Sequence, residues 1–317
     1  MQKLRYILTM IFVVASGILM AQQAPMFTNY SNSYASVNPG FGGLSDGVNV
    51  MGIYRDQWHG FITDAEGKSI SPKTMLISGD MPVKLLKGGA SLSIMKDDIV
   101  NEHNINVNMG YSFHIDLGGG TLGMGLALNL LNRSVDFSNF HPNVQDPIIP
   151  SGEQSDMLID ANFGLFWQVP ETFYIGMSIT NLFETKGKLL VENAATSASF
   201  MGDRTFYLMA GYEYQFNNPV FVLLPSLCLM SDIASTQINA GAKILYNNKV
   251  WFGVNYRYQE SVAAMVGFKI KDLQISYSYD VNTMGLDVQG SHEICVSYFV
   301  KLDLEKSARI YRNIRYL

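Results

Sequence analysis

Serine, histidine and glutamate stand side by side at Ser291, His292 and Glu293, and these are the residue types of a nucleophilic hydrolase. In that chemistry, a histidine takes the proton of the serine hydroxyl and a carboxylate orients the histidine. The flanking residues alternate as in a β-strand, so Ser291 and His292 point to opposite faces and do not form this pair with each other. No partner elsewhere is marked by spacing. We therefore predict no catalytic residue and no enzymatic activity.

Histidine and cysteine are the remaining residue types that could support chemistry. The five histidines show no close metal-ligand spacing, and they are His59, His103, His114, His141 and His292. We predict no metal site and no cofactor. Cys228 and Cys295 could pair in an oxidising compartment or remain two packed thiols, and both interpretations stay open because two cysteines do not make a disulfide framework.

The dominant pattern of the chain is an alternation of apolar and polar side chains. Within 103–116, every second residue is apolar, namely Ile105, Val107, Met109, Tyr111, Phe113 and Ile115. Side chains alternate between the two faces of a strand, and this strand reaches the roughly 9–11 residues that a tilted strand needs to cross a bilayer. Many such strands in an exported chain indicate an outer-membrane barrel with its apolar face toward lipid.

The start of the chain predicts a cleaved N-terminal signal peptide. Lys3 and Arg5 precede an apolar stretch at 6–20, and Ala21 closes a cleavage site whose small-residue rule is only half met because of Leu19. A membrane anchor is the competing interpretation, but the apolar stretch is short. We therefore expect the protein in the cell outer membrane.

The composition supports an exported barrel surrounded by outer-membrane lipid. Hydrophobic residues make up 48% of the chain and charged residues only 15%, with 17 Tyr, 18 Phe and 28 Gly. Aromatic residues suit the interfacial girdles of a barrel, and glycine suits a crowded, curved sheet. The net charge of −5 argues against nucleic acid as a partner.

The predicted fold is all-β, a transmembrane antiparallel β-barrel of about 14 strands. The predicted strands are 46–56, 70–83, 88–97, 103–116, 120–132, 157–168, 172–182, 204–216, 219–230, 236–246, 249–258, 262–270, 273–281 and 291–302. Every second connection is short, as expected for periplasmic turns, whereas 133–156, 183–203 and 282–290 are long or polar. A soluble β-sandwich is the alternative, but it does not require this asymmetry.

Two segments flank the predicted barrel of 46–302, after the signal peptide at 1–21. Residues 22–45 are rich in Asn, Ser, Tyr, Pro and Gly, and they could plug the lumen or form a loose periplasmic leader. The tail at 303–317 is basic and begins on the periplasmic side. It could dock a periplasmic partner or simply be a solvated tail. Within 305–317, one acid, Glu305, stands against four basic residues, namely Lys306, Arg309, Arg312 and Arg315.

Arg55 and Trp58 are the candidates for partner contact at the outer rim. In the alternative interpretation, Trp58 belongs to the interfacial girdle and Arg55 is a charge inside the lumen. The less apolar strand faces also carry charges that would need partners in a lumen network, namely Glu213, Lys243, Arg257, Lys269 and Asp280. Together with Arg309, Arg312 and Arg315 of the tail, Arg55 and Trp58 complete the set of predicted partner-contact residues.

Several strings stand out beyond the alternation. The most specific are Tyr54-Arg55-Asp56-Gln57-Trp58-His59-Gly60-Phe61 and Ser291-His292-Glu293-Ile294, with Tyr277-Ser278-Tyr279-Asp280 upstream. In order and spacing, these strings resemble the PorP/SprF family of Bacteroidetes outer-membrane proteins over essentially the whole mature chain. One departure is Asn38-Pro39-Gly40-Phe41-Gly42-Gly43, where the family usually has Asn-Pro-Ala-Tyr-Ala-Gly.

The resemblance implies a non-enzymatic component or accessory of the type IX secretion system. Such a protein would support export, surface attachment or gliding motility, and its partners would be type IX secretion components and a large secreted or surface protein. The loops at 133–156 and 183–203 are the segments expected to hold that protein outside the cell. The alternative function is a channel for hydrophobic or small polar solutes, gated by 22–45.

Overall fold

A closed antiparallel sheet forms the wall of the barrel in the computed structural model, which describes residues 24–60, 70–138, 152–189, 198–218, 220–285 and 288–302. The described strands are β1 (Gly47–Asp56), β2 (Lys73–Val83), β3 (Gly88–Ile99), β4 (Glu102–Leu117), β5 (Gly120–Asp136), β6 (Glu153–Val169), β7 (Phe173–Thr180), β8 (Lys186–Leu189), β9 (Ala198–Met201), β10 (Thr205–Tyr212), β11 (Tyr214–Gln215), β12 (Phe221–Ser231), β13 (Thr236–Tyr246), β14 (Val250–Arg257), β15 (Ser261–Ile270), β16 (Leu273–Asn282) and β17 (Ser291–Lys301).

The wall closes because β1 pairs with β17. Gly47 lies opposite Lys301 and Asp56 lies opposite His292. The other wall strands pair with their neighbours in chain order, and β11 continues β10 after a break at Glu213. Strands β8 and β9 form a separate hairpin, so the wall has fourteen strands. The predicted fold class is confirmed, and closure lets the wall strands satisfy one another's backbone groups, as lipid requires.

The predicted faces of the strands are also confirmed. On β4, Met109, Tyr111 and Phe113 are exposed on the outside of the barrel, whereas Ser112 is fully buried on the inside. The short connections lie at one end, for example at 118–119 and 271–272, which identifies that end as periplasmic. Among the described helices, none is long and apolar enough to cross a membrane.

Strands β5 and β6 each extend four residues further outward than the alternation predicts, to Asp136 and Glu153, whereas β4 extends one residue further, to Glu102. Strands β4, β5 and β6 contain 16, 17 and 17 residues, so both ends of the predicted loop 133–156 are strand. Parts of the predicted loop 183–203 are strand as well, because β8 and β9 lie within it. The outer ends of β4, β5 and β6 are rich in Asn, Asp and Ser because they stand above the lipid, where the apolar pattern is no longer required. The hairpin of β8 and β9 packs beside them, and the Lys188 backbone N–H donates to Asp156 Oδ2 at 2.7 Å.

Residues 24–45, here called the N-terminal plug, lie inside the lumen. They contain a 3-10 turn (Tyr30–Asn32), a short helix α1 (Tyr34–Val37) and a second 3-10 turn (Pro39–Phe41). The plug contacts opposite walls of the barrel, because Tyr30 bonds Ser226 of β12 and Gly40 bonds Ser112 of β4. A segment that is bonded to strands on both sides of the barrel lies between them.

The two cysteines do not form a disulfide. Cys228 on β12 and Cys295 on β17 are both buried and free. Each packs in a different cluster of the interior, Cys228 with Tyr30 and Tyr34 and Cys295 with Phe27. The bridged alternative is therefore wrong for this structure.

Candidate functional site: the plugged lumen

Three wall glycines allow the plug to lie directly against the backbone of the sheet. A Cβ atom on Gly123 would lie 2.1 Å from the Gly40 carbonyl oxygen, and one on Gly125 would lie 2.2 Å from the Pro39 carbonyl carbon. On β6, a Cβ atom on Gly164 would lie 2.0 Å from Asn38 Oδ1. The lumen face of β5 and β6 is thus shaped to the plug, and a larger side chain at these positions would overlap it.

Asn38 ties the plug to two neighbouring strands. Its side chain donates to the carbonyl oxygens of Leu165 and Met177 at 3.1 and 3.3 Å, while its Oδ1 accepts from the Gly40 N–H at 2.9 Å. Gly40 itself has no space for a side chain, since a Cβ atom would lie 2.8 Å from the carbonyl oxygens of Gly123 and Gly164. The departure from the usual alanine at this position therefore matches the close approach of plug and wall.

A cluster of buried charges lies at the outer half of the lumen. Arg55 of β1 reaches Asp280 of β16 at 2.8 Å and Glu293 of β17 at 3.2 Å, and all three side chains are at most 2% exposed. Arg257 of β14 lies 3.9 Å from Asp280 and 2.6 Å from Glu260. Buried charges are tolerated when they are paired and hydrogen-bonded, and each of these side chains has at least one partner of opposite charge.

The charged cluster holds the upper end of the plug. Glu293 accepts hydrogen bonds from the backbone N–H groups of Thr28 and Asn29, both at 2.8 Å. The Thr28 hydroxyl accepts from Arg55 at 3.0 Å and donates to Asp280 at 2.8 Å. Because the plug completes the hydrogen bonds of these carboxylates, the cluster acts as the anchor that retains it in the lumen.

The predicted lumen network is only partly composed of the residues that the sequence indicated. Arg257 and Asp280 belong to it, but Lys269 is exposed and Glu213 lies near the periplasmic end, away from the cluster. Lys243 contacts the plug instead, since its Nζ donates to Ser31 Oγ at 2.9 Å and lies 4.6 Å above the Trp251 ring.

The Ser291-His292-Glu293 string is divided between the two faces of β17. Ser291 Oγ accepts from the Trp58 backbone N–H at 3.1 Å, whereas His292 Nδ1 is 2.7 Å from the Tyr277 hydroxyl. Glu293 was singled out in the sequence only as part of this string, and its role as an anchor of the plug was missed. Its position on the lumen face, opposite Ile294 and Val296, was the available signal.

The predicted partner-contact residues occupy very different surroundings. Arg55 is 1% exposed inside the barrel, so a direct contact with another protein would require the plug to leave. Trp58 is half-buried in the turn after β1. Arg309, Arg312 and Arg315 lie outside the described residues, so partner contact by the tail stays a prediction.

The charged cluster and the plug contain residues of the same sequence strings that resemble a known family. A family model described as "Type IX secretion system membrane protein PorP/SprF" matches residues 19–298. The chain belongs to the PorP/SprF family. It is therefore an outer-membrane component of type IX secretion, in a family of structural and secretion components, and membership implies association with other components of that system.

Other comparisons concern only the barrel architecture. No curated protein matches this sequence. Omp33 of Acinetobacter baumannii has a TM-score of 0.46 at 6% identity, covering 81% of this chain and 100% of that one. A Pseudomonas aeruginosa FadL homologue has a TM-score of 0.46 at 10% identity, covering 84% and 94%. The translocator domain of NalP from Neisseria meningitidis has a TM-score of 0.43 at 12% identity, covering 85% and 94%.

Proposed function

We propose that this PorP/SprF protein is a plugged, non-enzymatic barrel that supports export or surface attachment of a secreted protein or gliding adhesin. The observation that supports this proposal is the plug, which lies across the lumen and is bonded to strands on several sides of the wall. In this position, the plug occupies space that a diffusing solute would need. The surfaces left for a partner are then the outer end, the periplasmic end and the tail.

The outer end offers a raised platform on one side of the barrel. Strands β4, β5 and β6 exceed the length needed to cross the bilayer by roughly 6–8 residues, which corresponds to roughly 15 to 20 Å above the lipid. By contrast, β14 and β15 contain only 8 and 10 residues. A rigid platform of paired strands is suited to holding a large protein, because the platform loses little conformational freedom when the partner binds.

The proposal is tested by purifying an affinity-tagged copy of the full chain from its native host in mild detergent and identifying co-purified proteins by mass spectrometry. We expect a very large secreted protein or other type IX secretion components. Recovery of the folded barrel alone, under conditions that preserve other outer-membrane complexes, would contradict the proposed function.

Removing the tail should separate attachment from folding. We expect that deleting residues 305–317, which carry a net charge of +3, abolishes recovery of periplasmic secretion components while the barrel still assembles. A variant with Arg309, Arg312 and Arg315 all replaced by glutamine keeps the length of the tail and should behave in the same way. Unchanged recovery with both variants would remove the tail from the proposed function.

A further inference from the structure

A second feature of the lumen is a cavity of about 220 Å³ beside the plug, here called the outer chamber. One side of it is formed by plug residues, among them Met26, Tyr30 and Tyr34, and the other by strands from β3 to β12. Glu102 and Asp232, which flank the outer turns at 100–101 and 232–235, line the same cavity. The outer chamber therefore lies toward the cell exterior, above the part of the plug that contacts the wall glycines.

Asparagine side chains dominate the polar lining of the outer chamber, and they are Asn104, Asn106, Asn108, Asn129, Asn162 and Asn181. Most of them are joined by hydrogen bonds, from Asn108 to Asn106 at 2.6 Å, from Asn162 to Asn108 at 2.7 Å and from Asn129 to Asn181 at 2.6 Å. These bonds hold the amides in fixed orientations, so the lining is a built surface of donors and acceptors.

Two amides of this lining have a buried acceptor without a partner among the described residues. Asn129 is 3% exposed, and within the described part of the chain its Oδ1 accepts no hydrogen bond. Asn104 Oδ1 is in the same state. A buried acceptor without a partner is destabilising, and a ligand that brings N–H donors would satisfy these two oxygens once rotation of the amides brings them to the surface of the chamber.

The charged residues of the outer chamber are mostly acidic. Arg133 is paired with Glu102 at 2.8 Å. The other charged side chains of the lining are the carboxylates of Asp97, Asp203 and Asp232. The hydrogen-bond partners of Asp97 and Asp232 in the structure are neutral, namely the Thr74 hydroxyl and Ser235. Burial raises the pKa of Asp203, and the nearby Asp232 adds to this effect. Crowded carboxylates of this kind favour a cationic ligand.

The asparagine row on β4 has the repeat of an extended polypeptide. Asn104, Asn106 and Asn108 lie at every second position, so they are spaced by about 6.8 Å along the strand. The backbone groups on one side of an extended chain recur at the same distance. An extended segment parallel to β4 would therefore meet successive amides in register.

We propose that the outer chamber binds an extended polypeptide segment that carries lysine or arginine, with its backbone along the asparagine row and its cations near Asp97, Asp203 and Asp232. This inference rests on the proposed function and specifies which part of a secreted partner binds in the outer chamber. It also assigns the unsatisfied oxygens of Asn104 and Asn129 to backbone N–H donors of that segment.

The purified full chain in detergent would be titrated into a fluorescein-labelled peptide of four Thr-Lys repeats, with binding followed by fluorescence anisotropy. Matched peptides with glutamate or glutamine in place of lysine report the contribution of charge. We expect the basic peptide to bind and the D203N/D232N variant to bind it about tenfold more weakly, because the variant removes two partly exposed ion pairs with the peptide. Asparagine at position 232 retains an acceptor for Ser235, so the turn is preserved.

The matched control is D116N/D272N, which removes two exposed carboxylates at the periplasmic end and should leave peptide binding unchanged. Failure of the basic peptide to bind, equal binding of the acidic peptide, or an unchanged affinity for D203N/D232N would overturn the assignment of the outer chamber. If D203N/D232N still recovers from cells the partner that the wild-type barrel recovers, the proposed function stands, but the outer chamber is not the site that binds this partner. If the wild-type barrel recovers no partner at all, the proposed function itself fails.

Discussion

Replacing Arg55 with alanine should destabilise the barrel by about 3–5 kcal/mol and free the upper end of the plug, because removing one member of a buried ion pair leaves the other charge uncompensated. Asp280 and Glu293 are at most 2% exposed, and both have Arg55 as a partner. Thr28 also loses the donor that positions its hydroxyl. The measurement is the temperature at which the purified barrel loses its folded mobility in a detergent gel.

Two comparisons make the Arg55 prediction specific. The R133A variant breaks the Arg133–Glu102 pair, whose side chains are 27% and 17% exposed, and should cost at most about 1 kcal/mol because solvent screens that pair. The neutral variant R55M/D280N/E293Q removes all three charges together and should recover much of the lost stability. If R55A melts at the same temperature as the wild type, the buried cluster is not the anchor of the plug.

Substituting leucine for Gly125 is expected to push the plug out of the lumen and make the barrel permeable. The first atom of the new side chain would lie 2.2 Å from the Pro39 carbonyl carbon and 2.4 Å from the Gly40 nitrogen, which are both backbone atoms. The wall strand is held by hydrogen bonds to β4 and β6 along most of its length, whereas the plug is held by scattered bonds. The plug should therefore yield, and liposomes containing the variant should swell in a small sugar.

Gly52 provides the matched control for this substitution. It lies on the outer face of β1, and the nearest atom to an added Cβ is the Leu76 carbonyl oxygen at 3.9 Å. G52L should therefore fold and leave the liposomes closed, which is also the expected result for the wild type. Liposomes that remain closed with correctly folded G125L would show that the wall, not the plug, adjusts to the larger side chain.

The wall could be predicted from the sequence because lipid imposes one chemistry on every second residue of each spanning strand. The faces of β4 and β5 follow directly from that rule, and the short connection after every second strand supports the predicted number of strands. The closed wall confirms that number. The rule stops at the lipid boundary, which is why β5 was expected to end at 132 and instead reaches Asp136.

The plug and its anchor could not be derived in the same way. Residues 24–45 have no periodic pattern, and their place depends on a match in shape with Gly123, Gly125 and Gly164, which the sequence suggests only as features of a curved sheet. The pair of Arg55 and Glu293 joins positions 238 residues apart, so only closure of the barrel brings them together. Composition shows that such charges need partners but does not select them.

The most direct test of a closed, plugged barrel is the current through the purified full chain in a planar lipid bilayer. We expect no steady openings in symmetric salt, because the anchored plug occupies the lumen. Sizeable and steady openings of the unmodified protein would contradict this account and establish a solute channel in its place.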